Sequence, residues 1–334
     1  MAGKIKIAVS WAAACGGCDV SLLDIEERIL WLASVADVVY WPVAMDFKRT
    51  DLASYGEGEI DVGILNGAVR LSEQEHDARL MRSRCKVLVA YGACAAFGGI
   101  PGLANLHSRE AILDTAYRDT ASTENPEDLR PATGTEVCGC KLDLPEFHHT
   151  VKAQSHVVPI DYVVPGCPPT MERVLDTVNL IVSYARSGSL PEKGTVVASA
   201  KALCDECERV STRTAKRITK VRRPHELVAD PGLCFLEQGL LCMGIATRGG
   251  CGGACIGVNM PCRGCFGPTE AMLDPGAEAL SAVGSIAAVT NEDDAQTHQR
   301  MAPIRSIVDI TGTFYRFALP SATIFRALED TPTQ

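Results

Sequence analysis

The chain has 334 residues, of which 46% are hydrophobic, so it is long enough for two domains with a sizeable core. Its formal net charge of −9 at pH 7 argues against a general nucleic-acid-binding protein, because such proteins need a basic surface. No secretory signal or twin-arginine pair is visible near the start, and the longest uncharged run, residues 87–106, contains Pro101 and several glycines. We therefore expect a cytoplasmic protein without a membrane span.

Short apolar runs predict β-strands over residues 4–11, 37–43, 60–65, 86–91 and 157–164. Amphipathic or polar-faced segments predict helices over residues 19–33, 72–84, 108–118 and 171–186. Ser21 with Asp24 resembles a capping box in the first of these helices. Strands that alternate with helices predict an α/β fold, a parallel sheet with helices on both faces.

Residues 119–150 interrupt this alternation with polar turn chemistry, which predicts an exposed insertion. The insertion carries Cys138 and Cys140, and also His148 and His149, so a metal role is an alternative to a solvated loop. Cys85 precedes a predicted strand, and we expect it to be a thiol of the core. The roles of Cys138 and Cys140 stay open at this point.

The composition divides the chain into three parts. Residues 1–190 form the first domain, residues 191–203 a linker, and residues 204–334 a second, largely irregular or helical domain with helices predicted over 276–286 and 306–319. The second domain contains a basic segment, either a solvated helix face or a docking surface for an acidic partner. Its cationic residues are Arg209, Arg213, Lys216, Arg217, Lys220, Arg222 and Arg223.

Cysteines dominate the second domain. Eight of the fifteen lie between residues 204 and 265, and in a reducing compartment that number indicates metal sites, not disulfides. These eight thiols suffice for two four-cysteine sites, and the short paired spacings suit iron–sulfur clusters or structural zinc. The eight are Cys204, Cys207, Cys234, Cys242, Cys251, Cys255, Cys262 and Cys265.

A third four-cysteine site is predicted in the first domain. Cys15 and Cys18 follow the first strand, whereas Cys94 and Cys167 follow the fourth and fifth strands. The carboxyl ends of parallel strands share one edge of a sheet, so this topology brings the four cysteines together. Neighbouring glycines allow the backbone to approach the sulfur atoms closely.

No nucleotide-binding loop, serine–histidine triad or paired carboxylate motif accompanies these cysteines. The visible chemistry is therefore electron storage and transfer, for which three clusters in one chain would form an electron-transfer chain. Such an electron-transfer chain needs an active site, which must come from another subunit.

Three segments of the first domain resemble the small, electron-transferring subunit of nickel–iron hydrogenases. They are Cys15-Gly-Gly-Cys18-Asp-Val-Ser-Leu-Leu, Gly92-Ala-Cys94-Ala-Ala-Phe-Gly-Gly-Ile-Pro-Gly102 and Pro165-Gly-Cys167-Pro-Pro169. The resemblance implies a flavodoxin-like domain in which Cys15, Cys18, Cys94 and Cys167 hold a proximal 4Fe–4S cluster. It also implies a partner, the large subunit that carries the nickel–iron centre.

The second domain is similar to the cytoplasmic, methyl-viologen-reducing hydrogenases, which pass electrons toward heterodisulfide reductase. This resemblance rests on the segments Leu233–Gly244 and Pro261–Pro268. It implies a medial 4Fe–4S cluster on Cys251, Cys255, Cys262 and Cys265. It implies a distal 4Fe–4S cluster on Cys204, Cys207, Cys234 and Cys242.

The partner that accepts the electrons is an iron–sulfur or flavin subunit in this interpretation. Two alternatives remain: the small subunit of an NAD(P)-reducing or bifurcating hydrogenase, and a zinc-stapled structural interaction module. The run Ser21–Arg28 is also similar to the NAD-reducing group, whose small subunits usually lack the second domain.

Overall fold

The computed structural model describes residues 4–212, 218, 220–287 and 302–323. Its main sheet has five parallel strands in the order β2-β1-β3-β5-β9. They are β1 Ile5–Trp11, β2 Ala36–Tyr40, β3 Ile60–Asn66, β5 Cys85–Tyr91 and β9 Tyr162–Val164. Counted along the chain, this is the 2-1-3-4-5 order of flavodoxin-like folds, as predicted.

Four further strands of the described residues lie outside this sheet. Strand β4, Val69–Leu71, pairs antiparallel with β8, Phe147–Lys152, and β6, Gly134–Val137, forms a hairpin with β7, Cys140–Asp143. Every residue of this hairpin is exposed, which agrees with the expected exposed insertion. The helices are α1 Gly17–Leu23, α2 Arg28–Val35, α3 Arg49–Ser54, α4 Ser72–Arg84, α5 Ala93–Phe97, α6 Arg109–Asp114, α7 Met171–Ser187, α8 Ala254–Gly257, α9 Pro275–Ile286, α10 Ala302–Arg305 and α11 Ile310–Phe314.

The sheet is covered on both faces, because successive side chains of a strand point to opposite sides. Ile7 and Val9 of β1 belong to the same buried cluster as Val174 and Val178 of α7. Between them, Ala8 belongs to the cluster of the other face, which includes residues of α4. The alternation thus gives a three-layer α/β domain.

The first predicted helix, residues 19–33, is wrong as a single element. It is divided into α1 and α2, and Glu26 between them has a φ of 55°. The predicted capping box also fails, because the Ser21 hydroxyl is buried and bonds to the Cys18 carbonyl and the Tyr91 hydroxyl, each at 2.8 Å. Ser21 therefore fixes the helix to the sheet.

Two other predicted elements are shorter than expected. The fifth predicted strand, 157–164, is extended only over β9, and Val157 before it has helical dihedral angles. Pro159 explains the shortening, because proline donates no hydrogen bond to a strand ladder. The predicted helix over 306–319 is reduced to α11, with a 3₁₀ turn at Leu319–Ser321.

The C-terminal region has a buried cluster of its own, built from residues between Leu203 and Ala322. Residues 195–197 before it hydrogen bond with Val163: the Val163 N–H donates to Thr195 at 3.2 Å, and the Val197 N–H donates to Val163 at 2.8 Å. This part of the proposed linker therefore extends beside β9. The three-part division of the chain stays a prediction.

The two regions interlock around Pro320. A Cβ atom added to Gly98 or Gly102 would collide with the Pro320 ring, so only glycine fits at these two positions. Nearby, the Gly99 N–H donates to the Phe317 carbonyl at 3.1 Å, and the Ser321 hydroxyl donates to the Phe97 carbonyl at 3.2 Å. The loop after Cys94 is thus covered by the C-terminal region.

None of the helices in the described part of the chain has the length and apolar composition that a membrane crossing requires.

Candidate metal centres

The first group of cysteines lies at the C-terminal edge of the sheet. Cys15 follows β1, Cys18 lies in the first turn of α1, Cys94 in α5 follows β5, and Cys167 follows β9. Burial raises the pKa of Cys18, and the nearby thiols of Cys94, Cys167 and Cys15 raise it further. The topology therefore brings these four thiols together, as the strand order predicts.

Two glycines leave room for the sulfur atoms of this group. Gly92 has a φ of 88°, and a Cβ atom there would collide with Sγ of Cys18. Gly99 has a φ of 59°, and a Cβ atom there would collide with Sγ of Cys94. Both positions combine a left-handed backbone with close contact to sulfur, so any side chain would push a thiol out of the group.

Burial raises the pKa of Cys94 to about 11, and the neighbouring Cys167 contributes to the increase. Cys18 and Cys94 are therefore protonated at neutral pH when nothing is bound to them. Thiolate is the metal-binding form, so loading this group with metal must release protons.

The second group consists of Cys204, Cys207, Cys234 and Cys242. All four line one small cavity of about 20 Å³, whose wall also includes Phe235 and Leu236. Burial raises the pKa of Cys242, the N–H groups of Gly244 and Cys262 lower it, and Cys234 and Cys207 raise it. These four thiols thus face a common centre.

The third group consists of Cys251, Cys255, Cys262 and Cys265. Burial raises the pKa of Cys265 to about 12, with contributions from Cys251, Cys167 and Cys255. Burial also raises the pKa of Cys262, to which Cys242 and Cys265 add. The third group therefore lies near both of the others.

Backbone hydrogen bonds to sulfur connect the three groups in a row. The Cys167 N–H of the first group donates to the Cys265 sulfur of the third group. The Cys262 N–H of the third group donates to the Cys242 sulfur of the second group at 3.3 Å. The third group is therefore the middle one.

The donor set fits iron–sulfur clusters, which take four cysteine thiolates each and are tuned by N–H bonds to sulfur. Within the described ranges, no set of three histidine, cysteine, aspartate or glutamate side chains is arranged to hold a single metal ion.

Two buried charged residues near the cysteines in sequence, Asp19 and Arg248, have hydrogen-bond partners that the sequence alone did not reveal. The Asp19 carboxylate accepts a hydrogen bond from Trp41 Nε1 at 2.9 Å and another from Asn66 Nδ2. The Arg248 guanidinium donates to the carbonyls of Pro268 and Ser199 at 3.1 and 3.0 Å. For Asp19, its position directly after Cys18 was the one feature of the sequence that could have indicated a role near the cysteines.

The remaining cysteines lie apart from the three groups. Cys85 is buried at the start of β5, as expected of a core thiol, and burial raises its pKa to about 12. Cys138 and Cys140 are exposed at the tip of the β6–β7 hairpin. In the same insertion, His148 Nε2 lies 3.4 Å from a carboxylate oxygen of Glu75.

The interpretation of Arg209 as part of a solvated or docking face is wrong. Only 7% of this residue is exposed, and its guanidinium stacks on the Phe235 ring at 4.1 Å. It donates to the carbonyls of Asp230 and Leu233 and to Oδ1 of Asn259. Arg209 is therefore a buried structural residue beside the second group. Arg213, Lys216 and Arg217 lie outside the described residues.

Comparison with known proteins identifies the family. The family model described as NADH ubiquinone oxidoreductase, 20 Kd subunit, matches residues 15–181. The iron–sulfur subunit of the F420-non-reducing hydrogenase of Archaeoglobus profundus is 38% identical over 328 residues, which cover 97% of this chain and 99% of that protein. A subunit of the F420-non-reducing hydrogenase of Methanothermobacter thermautotrophicus is 34% identical over 325 residues, or 97% of each chain.

The fold has a counterpart among solved structures. A chain of the [NiFeSe] hydrogenase from Desulfovibrio vulgaris Hildenborough aligns with a TM-score of 0.52 at 16% identity, covering 80% of this chain and 95% of that one. The full-length matches carry the assignment to a family, and this alignment supports the fold. The chain belongs to the family of the 20 Kd subunit of NADH ubiquinone oxidoreductase and, within it, to the small subunits of nickel–iron hydrogenases of the methyl-viologen-reducing type.

Proposed function

We propose that this hydrogenase subunit carries electrons from H2 oxidation at the nickel–iron centre of a large subunit to an acceptor subunit through three 4Fe–4S clusters. The proposal rests on the grouping of twelve thiols into three sets of four. Each bound cluster would accept and release one electron at a time.

The residues of this chain would hold the clusters in a fixed order. We infer that Cys15, Cys18, Cys94 and Cys167 bind the proximal cluster. The medial cluster would be bound by Cys251, Cys255, Cys262 and Cys265, and the distal cluster by Cys204, Cys207, Cys234 and Cys242. The N–H bonds from Cys167 to Cys265 and from Cys262 to Cys242 support this order, because each connects neighbouring groups.

An exposed apolar surface near the first group suits docking of the large subunit. Cys15 is itself exposed, and the large apolar side chains around α1 and α2 are unusually accessible for a soluble domain. These side chains are Trp11, Val20, Leu23, Leu30 and Trp31. Burying them against a partner would bring its metal centre next to the proximal ligands and exclude water from Cys15.

The acceptor subunit would dock at the opposite end, beside Cys207. A groove of about 500 Å³ passes over Cys207, and its lining includes Glu206, Glu208, the buried Arg209 and several glycines. Its two carboxylates suit a partner with a basic surface. The basic segment of the sequence had instead raised an acidic partner as one of two alternatives. We propose a cytoplasmic complex, with an iron–sulfur or flavin subunit as acceptor.

Metal analysis tests the number of clusters. After anaerobic reconstitution we expect about twelve irons per chain, as three four-iron sites require. A matched control is the pair Cys138→Ser with Cys140→Ser, which removes two thiols outside the groups and should leave the iron content unchanged. A colourless protein that binds zinc would instead support the zinc-stapled interaction module.

Single substitutions test the order of the groups. Cys94→Ser should abolish H2-dependent dye reduction by the complex, because it removes a ligand at the entry. Cys204→Ser should slow dye reduction and leave H/D exchange at the partner's metal centre largely intact. Equal loss of exchange in both variants would contradict the order, and H2-dependent NAD reduction would favour the NAD-linked alternative.

A further inference from the structure

Four arginines converge on one cavity in the C-terminal region, which we call the arginine cavity. It has a volume of about 170 Å³ and lies between the segment from Val221 to Glu226, the loop that carries Arg263, and the segment from Ser306 to Arg316. The four cations in its lining are Arg222, Arg223, Arg263 and Arg316. Nothing in the proposed electron path uses this cavity.

The charges of the arginine cavity are not balanced. In the ranges that the structure describes, none of the four guanidinium groups forms a salt bridge, and Arg316 donates only to the Gly312 carbonyl, at 2.9 Å. Two carboxylates, Glu226 and Asp309, also line the cavity. Four positive and two negative charges leave a net charge of +2, which one dianion would neutralise.

The lining is suited to an oxyanion. Guanidinium groups present paired N–H donors that match the oxygens of phosphate. The hydroxyl-bearing residues Ser306 and Thr313 add polar groups to the wall. The volume is sufficient for one phosphate group, and a nucleotide would have to keep its base outside.

The arginine cavity also adjoins the cysteine groups. Arg263 lies between Cys262 and Cys265 in the sequence, and its side chain is close enough to Cys242 and Cys255 to interact electrostatically with both thiols. Its guanidinium therefore connects the cavity with the second and third groups. An anion in the cavity would neutralise positive charge beside both of them.

We propose that the arginine cavity binds a phosphate dianion, free or as part of a nucleotide, and that its occupancy makes the neighbouring clusters harder to reduce. The second half of this inference rests on the proposed function, because it requires clusters on the second and third cysteine groups. A bound dianion disfavours an added electron nearby. By linkage, reduction of those clusters weakens anion binding by the same factor.

Binding is tested first, on the anaerobically purified complex, by calorimetric titration with inorganic phosphate and, separately, with ADP. Arg223→Gln and Arg316→Gln should each weaken binding roughly tenfold or more, since each removes a charge-assisted contact. Arg186→Gln is the matched control, because Arg186 is an exposed arginine in the last turn of α7. Tighter binding of ADP than of phosphate would identify a nucleotide as the source of the anion.

Potentials are tested next, by redox titration with electron paramagnetic resonance. At a phosphate concentration just sufficient to saturate the wild type, the midpoint potential of at least one cluster should shift to a more negative value in the wild type and in Arg186→Gln, and much less in Arg223→Gln. Absence of phosphate binding in a complex with its full iron content overturns the site. Binding without any shift overturns the coupling, and an iron content far below about twelve per chain points instead to failure of the proposed function.

Discussion

The two regions of this chain differ in how they position their cysteines. In the N-terminal region a five-stranded parallel sheet with its own buried clusters carries the cysteines on the loops at one edge. In the C-terminal region the longest described helix is α9, with 12 residues, and the core is assembled around loops. The comparison indicates that the N-terminal fold can position its cysteines by itself, whereas the C-terminal fold would depend on the bound metal.

The composition of the two cores makes this difference concrete. Cys18 is a minor member of a large cluster of aliphatic and aromatic side chains between the sheet and its helices. In the C-terminal region Cys262 is a buried member of the cluster, and Cys234, Cys242 and Cys251 pack against that cluster. Loss of metal would leave these thiols without ligand bonds in the centre of that core.

Removal of metal should therefore produce the largest effect. When a chelator strips iron from the subunit, we expect hydrogen exchange in residues 202–212 and 220–287 to accelerate about a thousandfold, because metal bound there would supply folding free energy. Strands β1, β3 and β5 should keep their protection within about tenfold. The measurement is hydrogen–deuterium exchange by mass spectrometry, and equal loss in both regions would contradict the comparison.

Asp161 should give the next largest effect, confined to the N-terminal region. Its carboxylate accepts bonds from Arg82 at 2.7 Å, Lys193 at 2.7 Å and the Leu88 N–H at 2.8 Å. Asp161→Asn should lower the free energy of unfolding by about 3 kcal/mol, because it removes the charge that two cations face. The measurement is urea unfolding followed by the fluorescence of Trp11, Trp31 and Trp41, all of which lie in this region.

The same carboxylate predicts a pH dependence. Burial raises the pKa of Asp161, but the bonds from Arg82, Lys193 and the Leu88 N–H outweigh burial and hold the pKa below its ordinary value. Its stabilisation is therefore complete above the unfolded pKa of about 4 and is lost as the pH falls through the folded pKa. In the Asp161→Asn variant the free energy of unfolding should fall less steeply as the pH drops below about 4. An unchanged acid dependence would show that other carboxylates dominate.

Arg209 should give a smaller effect, in the C-terminal region. Arg209→Met keeps much of the contact with Phe235 but loses three hydrogen bonds, so we expect a loss of about 2 kcal/mol in local stability. Faster hydrogen exchange around Asn259 and Leu233 would register this loss. Weaker binding of the acceptor subunit with unchanged exchange would restore the docking interpretation of Arg209.

The smallest effect is expected at the β6–β7 hairpin. Cys138→Ser combined with Cys140→Ser should change the free energy of unfolding by about 0.5 kcal/mol or less, because both side chains are exposed. Thermal unfolding of the complex checks this expectation. A larger loss, or a loss of iron, would indicate that the hairpin thiols bind metal.

The sequence predicted the N-terminal region better than the C-terminal region, for a physical reason. The strands and the edge that gathers Cys15, Cys94 and Cys167 follow from local periodicity and the topology of parallel sheets. The buried Ser21 hydroxyl bonds to Tyr91, which is distant in sequence. Local patterns could not predict that contact.

The C-terminal region depends on distant contacts throughout. Arg209 looked like one charge in a basic run, because its stacking partner Phe235 lies in a separate loop. The pairing of Cys204 with Cys242 came from resemblance to a family, since spacing alone left the division of the eight cysteines open. Irregular backbone carries few local signals of this kind.

The contact of the Pro320 ring with Gly98 and Gly102 has a consequence for the order of folding on the ribosome. Translation proceeds from the N-terminus, so the loop that carries Cys94 emerges long before Pro320 exists to cover Gly98 and Gly102. During that interval the C-terminal region does not cover this loop. The segment around Pro320 can therefore cover Gly98 and Gly102 only after the whole N-terminal region has left the ribosome.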